Sequence, residues 1–203
     1  MDTPEELLPV AGTVVLLRPA EPGFEVLLLR RPDRGSFAGA WVFPGGKVEP
    51  GDRRDGDPES EDARRAGIRE TLEEVGLIVD GLVPLSQWHP PIEAPTRIRT
   101  WFFLAEAPEQ NPSPSADEVA ELAWIRPDEA LTRHGAGELT LFPPTWITLH
   151  QLSAFADAES ALTSGGAAQL FRTRVVDGAA GRAFAWEQGR LDAGVLPWRY
   201  LPA

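Results

Sequence analysis

The chain has 203 residues, 42% hydrophobic and 25% charged, enough for one substantial core with an appendage and too few for two large domains. Its formal net charge of −12 argues against binding a nucleic-acid polymer, and a phosphate-bearing ligand would need cations beside it. The absence of cysteine removes disulfides, thiolate nucleophiles and zinc–cysteine sites; with neither a basic-then-apolar leader nor a long apolar run, no membrane association is expected and a cytoplasmic location is.

Residues 1–9 are acidic and contain proline, a loose lead-in. Two β-rich runs, 10–18 and 24–31, flank Ala20-Glu21-Pro22-Gly23 and predict a hairpin. Residues 35–40 read as a loop of small residues, followed by a short strand at Trp41-Val42-Phe43. Pro44-Gly45-Gly46 predicts a sharp turn, where glycine permits positive φ and lets backbone approach a ligand closely.

A helix is expected from Asp57 as N-cap and Pro58 at the first helical position to Gly76 as C-cap. Glu59, Glu61 and Asp62 suit the positive end of its dipole. At about 100° per residue, Glu70, Glu73 and Glu74 share one quadrant, and Ile68, Leu72 and Val75 cluster opposite as the face for a sheet. Ala63, Ala66 and Gly67 lie towards the carboxylate side, small enough to let a neighbour pack close. Like charges at these spacings repel, and a divalent cation would relieve them; hard oxygen ligands in this number suit Mg²⁺ or Mn²⁺. A solvated acidic face would explain the carboxylates alone, but not the glycine loop in front of them.

Strands are expected within 77–88 and 98–105, joined by a proline-rich loop over 88–97 that reads as lying near a substrate. Arg97 and Arg99 there would meet phosphate or stand as exposed edge charges. Residues 107–116 form another loop, leading to the acidic run 117–121 before Trp124. A short helix is expected over 127–133 and a longer one over 143–162, then short strands from 169 to the end. His89, His134 and His150 are scattered, with no triad or metal-ligand spacing, and read as packing or surface residues.

Residues 43–77 resemble the box of the Nudix hydrolase family, G-x5-E-x7-R-E-U-x-E-E-x-G-U, where U is bulky and apolar. Gly46 precedes Asp52 at the right spacing, Asp52 being one methylene shorter than the usual glutamate. Arg69-Glu70-Thr71-Leu72-Glu73-Glu74-Val75-Gly76-Leu77 follows the second half except for Thr71 at an apolar position. Between the halves lie residues 53 to 68, sixteen where the family has seven, so a polar insertion is placed at about 53–61.

The resemblance implies an α/β fold, an α/β/α sandwich with a mixed sheet. Residues 1–135 would form the hydrolase core, with the box at 46–77, and 136–203 an extension of helix then short strands packed on it. It implies hydrolysis of the diphosphate bond of a nucleoside-diphosphate-linked small molecule such as coenzyme A, ADP-ribose or a dinucleotide, with Mg²⁺ or Mn²⁺ as cofactor. Metal would be held by Glu70, Glu73, Glu74 and the Gly45 carbonyl. Arg69 would position through a neighbouring acid, and Glu118, with Glu121 second, would be the acid upstream of Trp124 that reaches back. Glu118 or Glu70 would take the proton of the attacking water.

A signature of coenzyme A-cleaving members is kept at Leu27, Leu28, Arg31, Gly39 and 43–46, but has Leu29, Pro32, Gly35 and Trp41 where the subgroup has other residues. Arg31 joins Arg97 and Arg99 as a substrate-binding residue, and Trp41 or Trp88 could stack on a base. Two further readings are a catalytically silent module that senses a nucleotide or partner and a Nudix-fold isomerase. The extension covers the substrate or builds a homodimer, and its sequence leaves both open.

Overall fold

The computed structural model describes residues 4–35 and 37–203. A hairpin of β1 (Val10–Pro19) and β2 (Phe24–Arg30) leads to β3 (Trp41–Val42) and β4 (Gly45–Lys47), then to α1 (Glu59–Val75). Strands β5 (Val83–His89), β6 (Arg99–Glu106) and β7 (Glu121–Ile125) follow, with α2 (Pro127–Gly135), α3 (Pro143–Leu152) and α4 (Ala158–Thr163). The chain ends in β8 (Gln169–Arg172), β9 (Arg174–Gly178), β10 (Gly181–Trp186), β11 (Gly189–Asp192) and β12 (Arg199–Pro202).

Strands β1 to β8 form one mixed sheet in the order β3-β2-β1-β6-β5-β8, with β4 paired to β1 and β7 to β2; β9 to β12 form a second, four-stranded sheet. The centre is the parallel pair β1–β6, running from Val10 opposite Arg99 to Leu17 opposite Glu106. Both faces of the main sheet are covered, so its central strands are apolar throughout and alternate only in direction. Val14, Leu16, Phe103 and Ala105 pack with Ala63 and Val75 of α1. Val15, Leu17, Phe102 and Leu104 pack with Trp146, Leu149 and Leu152 of α3, Ala161 of α4 and Trp186 of the second sheet. Trp88 of β5 stacks on Phe171 of β8 at 4.0 Å, and Trp186 meets both edge-on, which ties the two sheets together.

Several expectations are corrected. The helix starts one residue late, with Pro58 at the N-cap, because Asp57 instead accepts a hydrogen bond from Arg65 at 2.8 Å. Its end is as expected: Gly76 takes φ 69° and donates to the Leu72 carbonyl. The face on the sheet carries Ala63, Ala66, Gly67, Thr71, Glu74 and Val75; of the expected Ile68, Leu72 and Val75, Val75 is buried, Ile68 is half-buried against the same cluster and Leu72 is exposed. Backbone proximity decides this, since a Cβ on Gly12 of β1 would overlap the Ala63 carbonyl oxygen. The buried Thr71 hydroxyl donates to the Gly67 carbonyl at 2.7 Å, so a polar residue serves at an apolar box position. Residues 44–46 make no isolated sharp turn, because Gly45–Lys47 pairs with β1. The helix expected over 143–162 is two, with Asp157 capping α4 by accepting from the Ser160 N–H at 2.8 Å. Of the lead-in, residues 1–3 lie outside the described residues and the rest is tied down: Glu5–Leu7 forms a 3-10 turn, Glu5 contacts the His89 ring, and Arg99 Nη2 donates to the Glu6 carbonyl at 3.3 Å. Among the described residues no helix is long and apolar enough to cross a membrane.

Two predictions concern this scaffold. Gly12→Ala forces β1 and α1 apart and should lower the unfolding free energy by about 1–3 kcal/mol in chemical denaturation; an unchanged midpoint would contradict so close a contact. The second uses the histidines, all three of which burial holds below the ordinary pKa, His89 at about 4. A folded pKa below the unfolded one of 6.5 means that the unfolded chain binds more protons, so this contribution to stability is lost as pH falls from about 6.5 towards 4. Burial raises Glu70 and Glu74, which act in the opposite sense, so the signal lies in the difference from a variant. Between pH 7.5 and 5, His89→Gln should lose about 1–2 kcal/mol less than the parent. Parallel profiles for the two proteins would refute the assignment.

Candidate active site

The site is built where β4 runs between β1 and α1. Val14 N–H donates to the Pro44 carbonyl and Val48 N–H to the Val10 carbonyl, so the even-numbered positions of this stretch face β1. Gly45 and Lys47 accordingly direct backbone groups towards α1. Gly45 N–H donates to Glu74 Oε2 at 2.9 Å, and the Lys47 carbonyl accepts from Arg69 Nη2 at 3.0 Å. The glycines are sterically required. Gly45 has φ 152° against Gly12 and Thr13, and a Cβ on Gly46 would overlap the Glu70 carboxylate.

Arg69 is the hub. Its Nε and Nη2 bind Asp52 Oδ1 at 3.2 Å and Oδ2 at 3.0 Å, while Nη1 reaches Glu70 Oε1 at 2.9 Å and Glu73 Oε2 at 2.8 Å. Asp52 closes the 3-10 turn Pro50–Asp52, accepting from the Glu49 N–H at 2.9 Å, and is buried. Burial works to raise its pKa, but the hydrogen bonds from Arg69 and Glu49 outweigh it and hold the carboxyl below the usual range. Asp52, and through it Arg69, holds its charge. The fork of Arg69 thereby pins the start of the inserted segment to the carboxylate face of the helix.

Glu70 and Glu74 are the strained members. Burial pushes the Glu74 carboxyl up to about 7, with Gly45 N–H and Arg31 opposing and the Glu70 and Glu118 charges adding to the rise. Glu70 is raised as well, by burial first, against the pull of Arg69. Glu73 is half exposed at the rim. Glu118 is exposed, and its field acts on both Glu70 and Glu74. Glu121, the second choice for that position, lies in β7 and pairs with Arg30 at 3.5 Å. Arg31 belongs to the group, with Nη1 3.5 Å from Glu74 Oε1 and a third of its side chain exposed.

Other residues singled out in the sequence are placed elsewhere. Trp41 and Trp88 are 8% and 3% exposed and belong to the core, so neither ring is open to a base. Arg99 is bound by Glu59 Oε2 at 2.5 Å, at the first turn of α1, about 22 Å along the helix from Glu74 by the rise per residue. Arg97 is half-buried just before β6. Arg99 does not join the carboxylates. Glu59, read in the sequence only as a dipole partner, also accepts from Trp101 Nε1 at 2.9 Å and Gln87 Nε2 at 3.2 Å. It fastens the start of α1 to the sheet after the long insertion; no local pattern announces this, because its partners lie 28 to 42 residues away.

Among the described residues no three acidic, histidine or cysteine side chains already form a metal cage. Glu70 and Glu73 share Arg69 Nη1, and Glu74 turns to Gly45 N–H. The donors are nevertheless hard oxygens, crowded and partly desolvated on one helix face. That set fits a Mg²⁺-like ion whose remaining positions are filled by water and phosphate, rather than an all-protein cage.

A family model described as NUDIX domain matches residues 7–144. A CTP pyrophosphohydrolase of Escherichia coli (strain K12) is 32% identical over 108 residues, 53% of this chain and 70% of that protein. The crystal structure of a NUDIX hydrolase from Alicyclobacillus acidocaldarius superposes with a TM-score of 0.71 at 25% identity, over 78% of this chain and 97% of the other. The NUDIX domain of Shewanella oneidensis NrtR, in complex with ADP ribose, shares the fold with a TM-score of 0.55 at 16% identity, over 72% of this chain and 87% of the other. Proteins of this family generally need divalent metal ions. The chain belongs to the Nudix hydrolase family and is a hydrolase acting on the pyrophosphate bonds of nucleoside diphosphate derivatives.

Proposed function

We propose that the protein is a divalent-metal-dependent diphosphatase whose chemistry takes place on the Glu70, Glu73 and Glu74 face of α1. The observation that carries the reading is the cradle at Gly46, kept free of a side chain so that the Glu70 carboxylate can lie against β4, beside the two other carboxylates. Those three side chains and the Gly45 carbonyl would hold Mg²⁺ or Mn²⁺, which supplies charge neutralisation of the diphosphate and a water of lowered pKa.

The protein's own groups then have distinct tasks. Asp52 keeps Arg69 in place, and Arg69 holds Glu70 and Glu73 together although their charges repel. Gly45 N–H orients Glu74. Arg31, beside Glu74 and partly exposed, meets a phosphate oxygen. Glu118, the exposed carboxylate facing Glu70 and Glu74, accepts the proton of the attacking water, since Glu70 is already engaged by Arg69. In this reading residues 1–135 carry the chemistry and 136–203 support it from outside. The partly kept coenzyme A signature and the CTP-cleaving relative favour different substrates, so both belong in the first assay.

That assay is a mass-spectrometric screen of CTP and other nucleoside triphosphates, ADP-ribose, NADH, dinucleoside polyphosphates and coenzyme A, each with Mg²⁺, Mn²⁺ or chelator. Cleavage should need metal and fall by several orders of magnitude in Glu74→Gln with the fold retained. Near-parental turnover in that variant, or cleavage in chelator, would overturn the reading, and nucleotide binding without cleavage would point to a sensor. A second prediction concerns the hub: Asp52→Asn should leave KM near parental and lower kcat about tenfold or more, because Arg69 is freed to turn from Glu70. An unaltered kcat would show that Asp52 serves only the insertion.

A further inference from the structure

The loop between β2 and β3 holds a side chain that folding alone does not explain. Phe37 has φ 60°, and among the described residues no other non-glycine residue has positive φ. An L side chain is disfavoured there, whereas glycine would adopt the conformation freely, as Gly35 and Gly39 in the same loop do at φ 75° and 67°. Burial does not compensate, for Phe37 is 41% exposed. Its ring meets Phe142 edge-on, centroids 4.9 Å apart at 86°, and Phe142 is itself 37% exposed. A bulky apolar residue in a disfavoured backbone state, left half in water, is a reason to look for a function.

Position suggests which function. Arg31 N–H donates to the Ala40 carbonyl at 2.9 Å, Ala40 N–H to the Phe37 carbonyl at 3.1 Å, and Gly39 N–H to the Pro32 carbonyl at 3.3 Å. The loop is thus closed on itself, with Phe37 one turn from Ala40 and Ala40 hydrogen-bonded to Arg31, whose guanidinium lies at Glu74. Arg34 Nη2 latches the same loop to the Asp117 carbonyl at 3.1 Å, next to Glu118. Trp41 N–H donates to the Thr140 carbonyl at 2.9 Å, which brings Phe142 in from the segment after residue 135. Two exposed rings therefore meet at the loop whose first residue is Arg31, one from each part of the chain. They are too few for a protein-docking patch, which spans roughly several hundred Å².

We propose that Phe37 and Phe142 form a stacking platform that adds affinity for the nucleobase of the substrate, an inference that rests on the proposed hydrolysis at the α1 carboxylates. Every base offers a π face, so an aromatic platform takes purines and pyrimidines alike and leaves discrimination to the groups around it. A base held there places the attached diphosphate towards Arg31 and the carboxylates.

Phe37→Gly tests this without endangering the fold, because it removes the ring and relieves the backbone at once. For CTP and ADP-ribose it should raise KM about tenfold with kcat within about twofold, and Phe37→Tyr should restore the parental value. Phe142→Ala should act in the same direction. Cleavage of 5-phosphoribosyl 1-diphosphate, which has the diphosphate and no base, should not respond. An unchanged KM in Phe37→Gly, or an equal rise for the base-free compound, would overturn the platform. Calorimetric binding of AMP and CMP in chelator needs no turnover and decides the matter even if the hydrolase reading fails. Weaker binding in Phe37→Gly supports the platform, and equal binding sinks it.

Discussion

A single guanidinium makes this carboxylate face tenable. Glu70, Glu73 and Glu74 lie within one turn and a half of helix, where like charges destabilise one another, and burial of Glu70 and Glu74 adds to the cost. Arg69 offsets part of it by holding Glu70 and Glu73 on one nitrogen while its other two nitrogens are fixed on Asp52. Asp52 in turn stands on the turn that opens the inserted segment, so the insertion departs after the electrostatic frame is already closed. The helix can therefore tolerate a longer approach loop, provided that its first turn is fastened separately, as Glu59 does through Arg99, Trp101 and Gln87.

The second constraint is steric. Gly12 brings β1 into backbone contact with Ala63 and Gly67 of α1, Gly45 lies against Gly12 and Thr13 of β1, and Gly46 leaves room for the Glu70 carboxylate. Large residues on either side would separate helix and sheet and carry the carboxylates away from the β4 backbone. Apolar burial is concentrated instead on the far face of the sheet, where α3, α4 and the second sheet close over Trp41, Trp88 and Phe102. One face supplies most of the apolar packing and the other supplies a polar, close-fitting site.

What was legible in the sequence was local. The hairpin, the helix with its glycine stop and the carboxylate quadrant all follow from spacing and turn chemistry within a few residues. What was not legible depended on partners far along the chain. The wheel put Leu72 inward because its hydrophobicity was visible and the approach of Gly12 was not. Arg99 looked available to phosphate because Glu59 lies 40 residues before it, and Trp41 looked available to a base because the covering helices come a hundred residues later. Phe37 stands in a loop of otherwise small residues, where a lone aromatic among glycines is itself a signal.

In the proposed mechanism a divalent ion is held on the β4–α1 face through Glu70, Glu73, Glu74 and the backbone of Gly45. Backbone-amide NMR during a Mn²⁺ titration tests it most directly, because the paramagnetic ion broadens only nearby signals and needs no substrate. Broadening should begin at Gly45, Gly46 and residues 69–76, spread later to the segment around Glu118, and leave the second sheet sharp. Broadening centred elsewhere, or an unaltered spectrum at millimolar Mn²⁺, would contradict it.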